Sequence, residues 1–291
     1  MDDFFIFALL KFTQMKTTQL LFTFLLISFG TLAQKKDKIK GSRTVTIETK
    51  TVKPFNSFEV EDNIEVYLES GDKNEIKIEA DDNLQEIIEL DVHDNNLRIH
   101  TNKTASSHKK LAVHVVYTSY LKAVTAKNEA VIYAIKPLEL DELSIITTDY
   151  AKLFLNVNAA QFNLKASDKT KAEINLKSGS GYFQLSNNAN IKALVISNQF
   201  KCDMYQKTSA EIEGEALEAQ YRLDNNASFI GNKLTVKKLQ LDTENYATCM
   251  VFAEEKIVLA ANDESEIHLF GNPKIEVAKF EKEAKLIKRI K

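Results

Sequence analysis

The sequence predicts an all-β protein: a single-stranded, right-handed parallel β-helix of about eight or more coils, with a strand-rich N-terminal part. Three observations carry this. First, a small residue returns every 17 to 21 positions from Ala130 onward, at Ala130, Ala151, Ala172, Ala189, Ala210, Ala227, Ala247 and Ser265. An apolar residue follows each two places later: Ile132, Leu153, Ile174, Ile191, Ile212, Phe229, Cys249 and Ile267. Second, six residues before these anchors stand Val124, Ile145, Ala166, Phe183, Met204, Tyr221, Leu241 and Leu259. Third, polar clusters rich in Asn and Asp separate the apolar stretches.

The even offsets select strand over helix. Positions eight and six before an anchor, such as Leu239 with Leu241 or Ile257 with Leu259, share a face only in an extended chain. An amphipathic helix would space them by three and four. The clusters Asn187-Asn188, Asp224-Asn225-Asn226, Glu244-Asn245 and Asn262-Asp263-Glu264 suit corners, because Asn and Asp tolerate left-handed backbone and hydrogen-bond their own turns. Stacked coils pair as parallel strands about 4.8 Å apart, so eight of them make a rod on the order of 40 Å long. An irregular β-sandwich with accidental periodicity is the alternative architecture.

In chain order, Met15-Lys16, the apolar run Leu20 to Phe29 and the small-x-small Thr31-Leu32-Ala33 predict a signal peptide over 1–33, with Met15 an alternative start. The run is too short to span a bilayer. Residues 34–42 are read as a flexible lead-in, and 43–291 as one domain. Within it, 43–120 forms N-terminal coils or a cap, and 121–291 the regular repeat. Alternation at Val45/Ile47, Phe58/Val60, Ile64/Val66/Leu68, Ile76/Ile78, Leu97/Ile99 and Leu111/Val113/Val115 predicts strands, with turns at Ser70–Asn74 and Asp94–Asn96. Leu84, Ile87 and Ile88 behind Asp81-Asp82-Asn83 predict one short helix. The basic segment Lys279–Lys291 is read as a last half-coil, because Ala284-x-Leu286 repeats the anchor pattern; an amphipathic helix is the alternative.

Phe58-Glu59-Val60, Ile64 to Asp72, Ile76 to Leu84, Asn96 to Ile99 and Gly271-Asn272-Pro273-Lys274 together resemble the DUF2807 family, the putative auto-transporter adhesin head GIN domain, over about residues 50–291. The resemblance implies an exported β-helical protein of a kind common in Bacteroidota. This chain departs from the family in its turns: the usual Ser-Gly turns survive only at Ser178-Gly179-Ser180-Gly181.

Composition narrows the function. A net charge of −3 argues against nonspecific nucleic-acid binding. Cys202 and Cys249 fall on inward slots two coils apart, about 10 Å, too far for a disulfide, so both are read as buried free thiols. His93, His100, His108, His114 and His268 show no shared-face ligand spacing, and the sequence carries no HExxH, paired CxxC, P-loop or GxSxG. No cofactor or metal site is predicted.

Acidic pairs at Asp81-Asp82, Asp141-Glu142, Glu254-Glu255 and Asp263-Glu264 fall in turns, and the chain has no Trp, which weakens a glycosidase reading. Tyr133, Tyr150, Tyr182, Tyr205 and Tyr246 are the aromatic candidates for a carbohydrate platform. The expectation is a noncatalytic exported protein, periplasmic, surface-bound or secreted, that presents a repetitive surface for adhesion or envelope scaffolding. Its partner is unidentified, with an envelope protein or a polysaccharide as the two classes considered. Asn187, Asn188, Asp224, Asn225 and Asn226 are the candidate contact residues, by their exposed amide and carboxyl groups. A carbohydrate-active enzyme and an envelope-sensing partner protein are the alternatives.

Overall fold

The computed structural model describes residues 36–290, so the signal-peptide reading lies outside the described residues. A compact unit begins at Lys38 and is a β-solenoid of about 9 turns. From Val131 to Ala261 the coils are long bent strands, Val131–Thr147, Lys152–Ala166, Lys171–Leu185, Asn190–Tyr205, Ser209–Asp224, Ser228–Thr243 and Thr248–Ala261. Each pairs in parallel with the next. Alternating residues point inward, as in Lys171–Leu185, where Ala172, Ile174, Leu176, Phe183 and Leu185 are buried between exposed or half-buried neighbours.

The inward residues form lanes that run along the solenoid. One is Leu97, Phe58, Val124, Ile145, Leu164, Phe183, Cys202, Tyr221, Leu241, Leu259 and Val277. A second is Val113, Val66, Ile132, Leu153, Ala172, Ile191, Ala210, Phe229, Cys249, Ile267 and Leu286. These lanes correct the anchor series at two places. Ala172 and Ala210 belong to the lane of Ile132 and Phe229, and the residues level with Ala151 and Ala189 are Thr170 and Thr208. Coil-to-coil hydrogen bonds set that level: Asn190 N–H donates to Thr170 O at 2.9 Å and Ser228 N–H to Thr208 O at 2.9 Å. Correspondingly, Leu164 and Cys202 take the lane first given to Ala166 and Met204. The slip is two residues, which leaves every side chain on its own face and hides it from hydrophobic patterning.

A polar turn closes each repeat. Asn128, Asp149, Asp168, Asn187, Asn225, Asn245 and Asp263 all adopt positive φ, between 51° and 62°, the conformation that Asn and Asp bear most readily. A second corner lies within the strands. Ala160, Gly179, Asn198, Leu217 and Lys237 have no ladder partner there, while both flanking stretches do. Ser178–Gly181 sits at this corner, inside a strand and not between strands. A Cβ on Gly179 would lie 2.9 Å from Ala160 O, so a larger residue in this coil requires the local backbone to shift.

The N-terminal part supplies both coils and a cap. Ser57–Val60 and Glu65–Ser70 stack in parallel on the first regular coil. Beyond them Val45–Lys50, Glu75–Asp81 and Ile88–His93 pair in antiparallel fashion, so the chain folds across the end. The predicted helix is a 3-10 helix over Asp82–Ile87 whose Asp81 makes no side-chain cap, and Ile88 is already extended. Its Leu84 and Ile87 are buried. Asp81 instead accepts the backbone N–H of Arg43 at 2.7 Å, Lys109 at 3.1 Å and Lys110 at 3.0 Å. Burial raises its pKa, and these donors outweigh burial and hold it below the usual aspartate value. Lys38–Lys40, read as part of a flexible lead-in, pairs with Thr104–Ser106. Val45–Lys50 is a strand, yet Ile47 is 66% exposed.

At the other end Lys274–Phe280 and Lys285–Lys288 are strands, which settles the basic segment as a last coil. Cys202 and Cys249 are free and buried, and burial pushes both thiols well above their ordinary pKa. Among the described residues no helix is long and apolar enough to cross a membrane.

Candidate functional site: an open cleft on the repeat face

Because the coils are in register, outward side chains also form lanes. Beside the second corner run Gln161, Ser180, Gln199, Glu218, Lys238 and Lys256, with Asn163, Tyr182, Lys201, Gln220, Gln240 and Val258 next to them. Small residues at Gly181 and Ala219 lower the floor between them, and an open cleft of ≈ 560 Å³ results. The hydroxyl of Tyr182 donates to Asp203 Oδ2 at 2.8 Å, and Lys201 Nζ lies 3.2 Å from the same oxygen and 5.2 Å from the tyrosine ring centre. Burial and this hydrogen bond push the Tyr182 pKa up, so the phenol stays protonated. Lys238 pairs with Glu218 at 3.4 Å. The amides of Gln199 and Gln220 make no side-chain hydrogen bond among the described residues. The cleft thus offers one fixed aromatic ring, free amides on two adjacent coils about 4.8 Å apart, and cations on three coils, a pattern suited to hydroxyl-rich or anionic chains.

Across the corner a second cleft of ≈ 760 Å³ is lined by Lys177, Ser178, Glu215, Leu217, Lys237 and Glu254 among others. Ser178 Oγ and Ser197 Oγ lie 3.1 Å apart there. On a third face His114, Tyr67, Tyr133 and Phe154 stack with centroids 5.0 to 5.2 Å apart. Tyr67 and Tyr133 have a ring stacked on each face, so neither offers a free face to a ligand. His114, between the buried Val113 and Val115, points away from the core but is half-buried, 3.1 Å from Glu79.

The predicted contact residues are in the turns. Asn187 Nδ2 donates to Asp168 Oδ1 at 2.9 Å, and Asn188 N–H to Asp168 O at 3.0 Å. Asp224 accepts from Asn245 Nδ2 at 2.8 Å, and Asn226 Nδ2 reaches Asn225 Oδ1 at 3.3 Å. Asn187, Asn188, Asp224, Asn225 and Asn226 thus spend part of their hydrogen-bonding capacity on their own turn ladder. Of the tyrosines, Tyr182 alone lines the first cleft; Tyr150 and Tyr246 are exposed in turns, and Arg222 covers the ring of Tyr205 at 5.8 Å.

Sequence reasoning missed the first cleft, whose one signal was the alternation of Gly181 and Ala219 with bulky neighbours. It also missed a hairpin cluster in which His100 Nε2 lies 3.0 Å from Glu89 and Nδ1 4.0 Å from Asp91. Arg98 stands opposite Asp91 on the paired strand and supplies a competing cation.

Residues 54–273 match the family DUF2807, described as putative auto-transporter adhesin, head GIN domain. The fold is similar to that of a putative adhesin from Parabacteroides merdae, at TM-score 0.61 and 17% identity, covering 87% of this chain and 99% of that one. A putative adhesin from Parabacteroides distasonis aligns at TM-score 0.58 and 18% identity, covering 87% and 100%. One from Bacteroides fragilis aligns at 0.55 and 16%, covering 87% and 98%. At these identities the likeness is one of fold. No curated protein matches the chain.

Proposed function

The chain belongs to the DUF2807 family of putative auto-transporter adhesins with a head GIN domain, and from that membership we propose an exported, noncatalytic adhesin that binds an extended polysaccharide along its repeat face. The observation that carries this reading is the register of outward lanes beside the second corner. They set Gln199, Gln220 and Gln240 on three successive coils, with the cations Lys201, Lys238 and Lys256 on the first, third and fourth, in a single open cleft with Tyr182. A polymer contacts such a face at many weak points, so affinity grows with chain length. The turn residues Asn187, Asn188, Asp224, Asn225 and Asn226 are a second proposed contact strip. Export rests on the leader features of residues 1–33 and the family's adhesin description. Mass spectrometry of envelope and culture fractions checks it through a mature N-terminus at Gln34, and an intact Met1 or Met15 rejects it.

The direct test is a glycan-panel binding assay on the wild type and on Tyr182→Ala/Gln220→Ala. Binding that rises with oligosaccharide length and is lost in the variant supports the reading. Binding unchanged in the variant places the ligand elsewhere. An enzymatic reading has one specific support, the presence of Glu215 and Glu254 in the lining of the second cleft. New reducing ends that disappear in Glu215→Gln or Glu254→Gln would establish it and overturn the noncatalytic one.

A further inference from the structure

The coil nearest the C-terminus leaves one end of the solenoid open. Ile275, Val277 and Phe280 continue inward lanes, stacked on Ile257, Leu259 and Ala261. Those three partners are at most 1% exposed, whereas Ile275, Val277 and Phe280 are 42%, 56% and 43% exposed. No further coil covers them among the described residues. The opposite end differs, because antiparallel strands and the 3-10 helix bury Leu84 and Ile87 across it.

Charge distinguishes this end as well. Across 274–290, Lys274, Lys279, Lys282, Lys285, Lys288 and Arg289 outnumber Glu276, Glu281 and Glu283, in a chain whose net charge is −3, and Lys282 pairs with Asp263 of the preceding coil. Lys256 and Lys274 hold Glu276, and Lys279 holds Glu281. Lys285 and Lys288 have no acidic partner among the described residues. Lys288 takes the inward lane below Leu269, so a cation sits at the mouth of the open end.

We propose that this open coil docks on an anionic lipid surface, at headgroup depth. Exposed apolar side chains beside the unpaired Lys285 and Lys288 match the chemistry of a bilayer interface, where acyl boundary and phosphate lie side by side. A soluble polyanion would use the lysines and leave Val277 and Phe280 without a role. A second copy docked end to end would bring two basic faces together and set charge at the joint, the device by which edges resist pairing. The free backbone N–H groups of the last strands find phosphate or water at the headgroups, and their unpaired carbonyls forbid deeper insertion. This face is separate from the cleft of Tyr182, and the proposal stands or falls independently of polysaccharide binding.

Vesicle flotation of the full chain tests it, with phosphatidylcholine vesicles made with and without phosphatidylglycerol. The expected result is binding to the anionic vesicles that weakens with salt. Lys285→Glu/Lys288→Glu should lower that affinity about tenfold or more, since each basic residue near an anionic surface contributes a several-fold factor. Val277→Ser/Phe280→Ser should lower it too, while Lys238→Glu in the cleft should not. Thermal melts of every variant identify any that fails to fold, and Lys285→Gln/Lys288→Gln then carries the comparison. Wild-type affinity in the end-coil variants overturns the proposal, because association then arises elsewhere in the chain. So does loss in the lysine variant alone with full competition by heparin, which marks a soluble polyanion. Concentration-dependent dimerisation of the wild type that Val277→Ser abolishes overturns it in favour of a second copy.

Discussion

Ile212 stacks on Ala193 of the preceding coil, and the residue that lies between Ile191 and Phe229 is Ala210. Ile212 is fully buried nonetheless, next to the irregular register between Glu211 and Glu213. Ile212→Asp should therefore cost on the order of 4 kcal/mol, the cost of an unpaired charge among apolar neighbours. Glu211→Ala removes a half-exposed side chain and should change stability by no more than about 0.5 kcal/mol. Equal melting temperatures for the two variants would contradict this register.

Between Ala130 and Ser265, Thr170 and Thr208 stand in a lane otherwise made of Ala, and their buried hydroxyls have no hydrogen-bond partner. Valine matches threonine in shape and removes the unsatisfied group. Thr170→Val and Thr208→Val should each raise stability by about 1 kcal/mol. A fall in the denaturant midpoint for both would mean that the hydroxyls are satisfied.

Asp81 gathers three backbone N–H groups of the cap at a site that is 0% exposed. Asp81→Ala leaves those donors unpaired, a loss on the order of 3 kcal/mol. The sign with pH follows from its lowered folded pKa. Its contribution is present above the unfolded value near 3.9 and fades as pH falls through the lower folded value. Glu61 acts in the same direction: burial raises its pKa, and the hydrogen bond from Arg98 with the charges of Arg98 and Lys127 outweighs burial and holds it below the usual glutamate value. Acid melts should show the wild type losing stability below about pH 4, with a smaller loss in Asp81→Ala.

Asn187 combines positive φ, 62°, with the amide bond to Asp168. Asn187→Gly keeps the backbone and removes the amide; Asn187→Ala also strains the turn, by about 1 kcal/mol. Glycan binding lost equally in both variants would make the amide a contact. Binding retained in both would leave it as part of the turn ladder.

Cys202 and Cys249 should resist alkylation in the folded protein, because burial disfavours both thiolates. Two equivalents should react after denaturation. Fast labelling of the native protein would show that the coils open, beside Tyr221 if Cys202 reacts and beside Phe229 if Cys249 does.

The period of the small and apolar residues determined by itself that the chain is a strand solenoid, that Phe183, Tyr221 and Leu241 face inward, and that Asn187 and Asp263 stand in corners. Side chains alternate with period two, so inward and outward are written in the sequence. The tertiary structure decided what that period cannot express. It placed Thr170 and Thr208 level with Ala151 and Ala189, because a two-residue slip preserves every face and only hydrogen bonds between coils distinguish the registers. It folded Val45–Lys50, Glu75–Asp81 and Ile88–His93 into an antiparallel cap, since pairing partners distant in sequence leave no periodic trace. It also brought Tyr182, Lys201 and Asp203 beside Gln220 and Lys238. Those residues lie on outward lanes, where hydrophobic patterning is silent and only the stacking of one coil on the next makes neighbours.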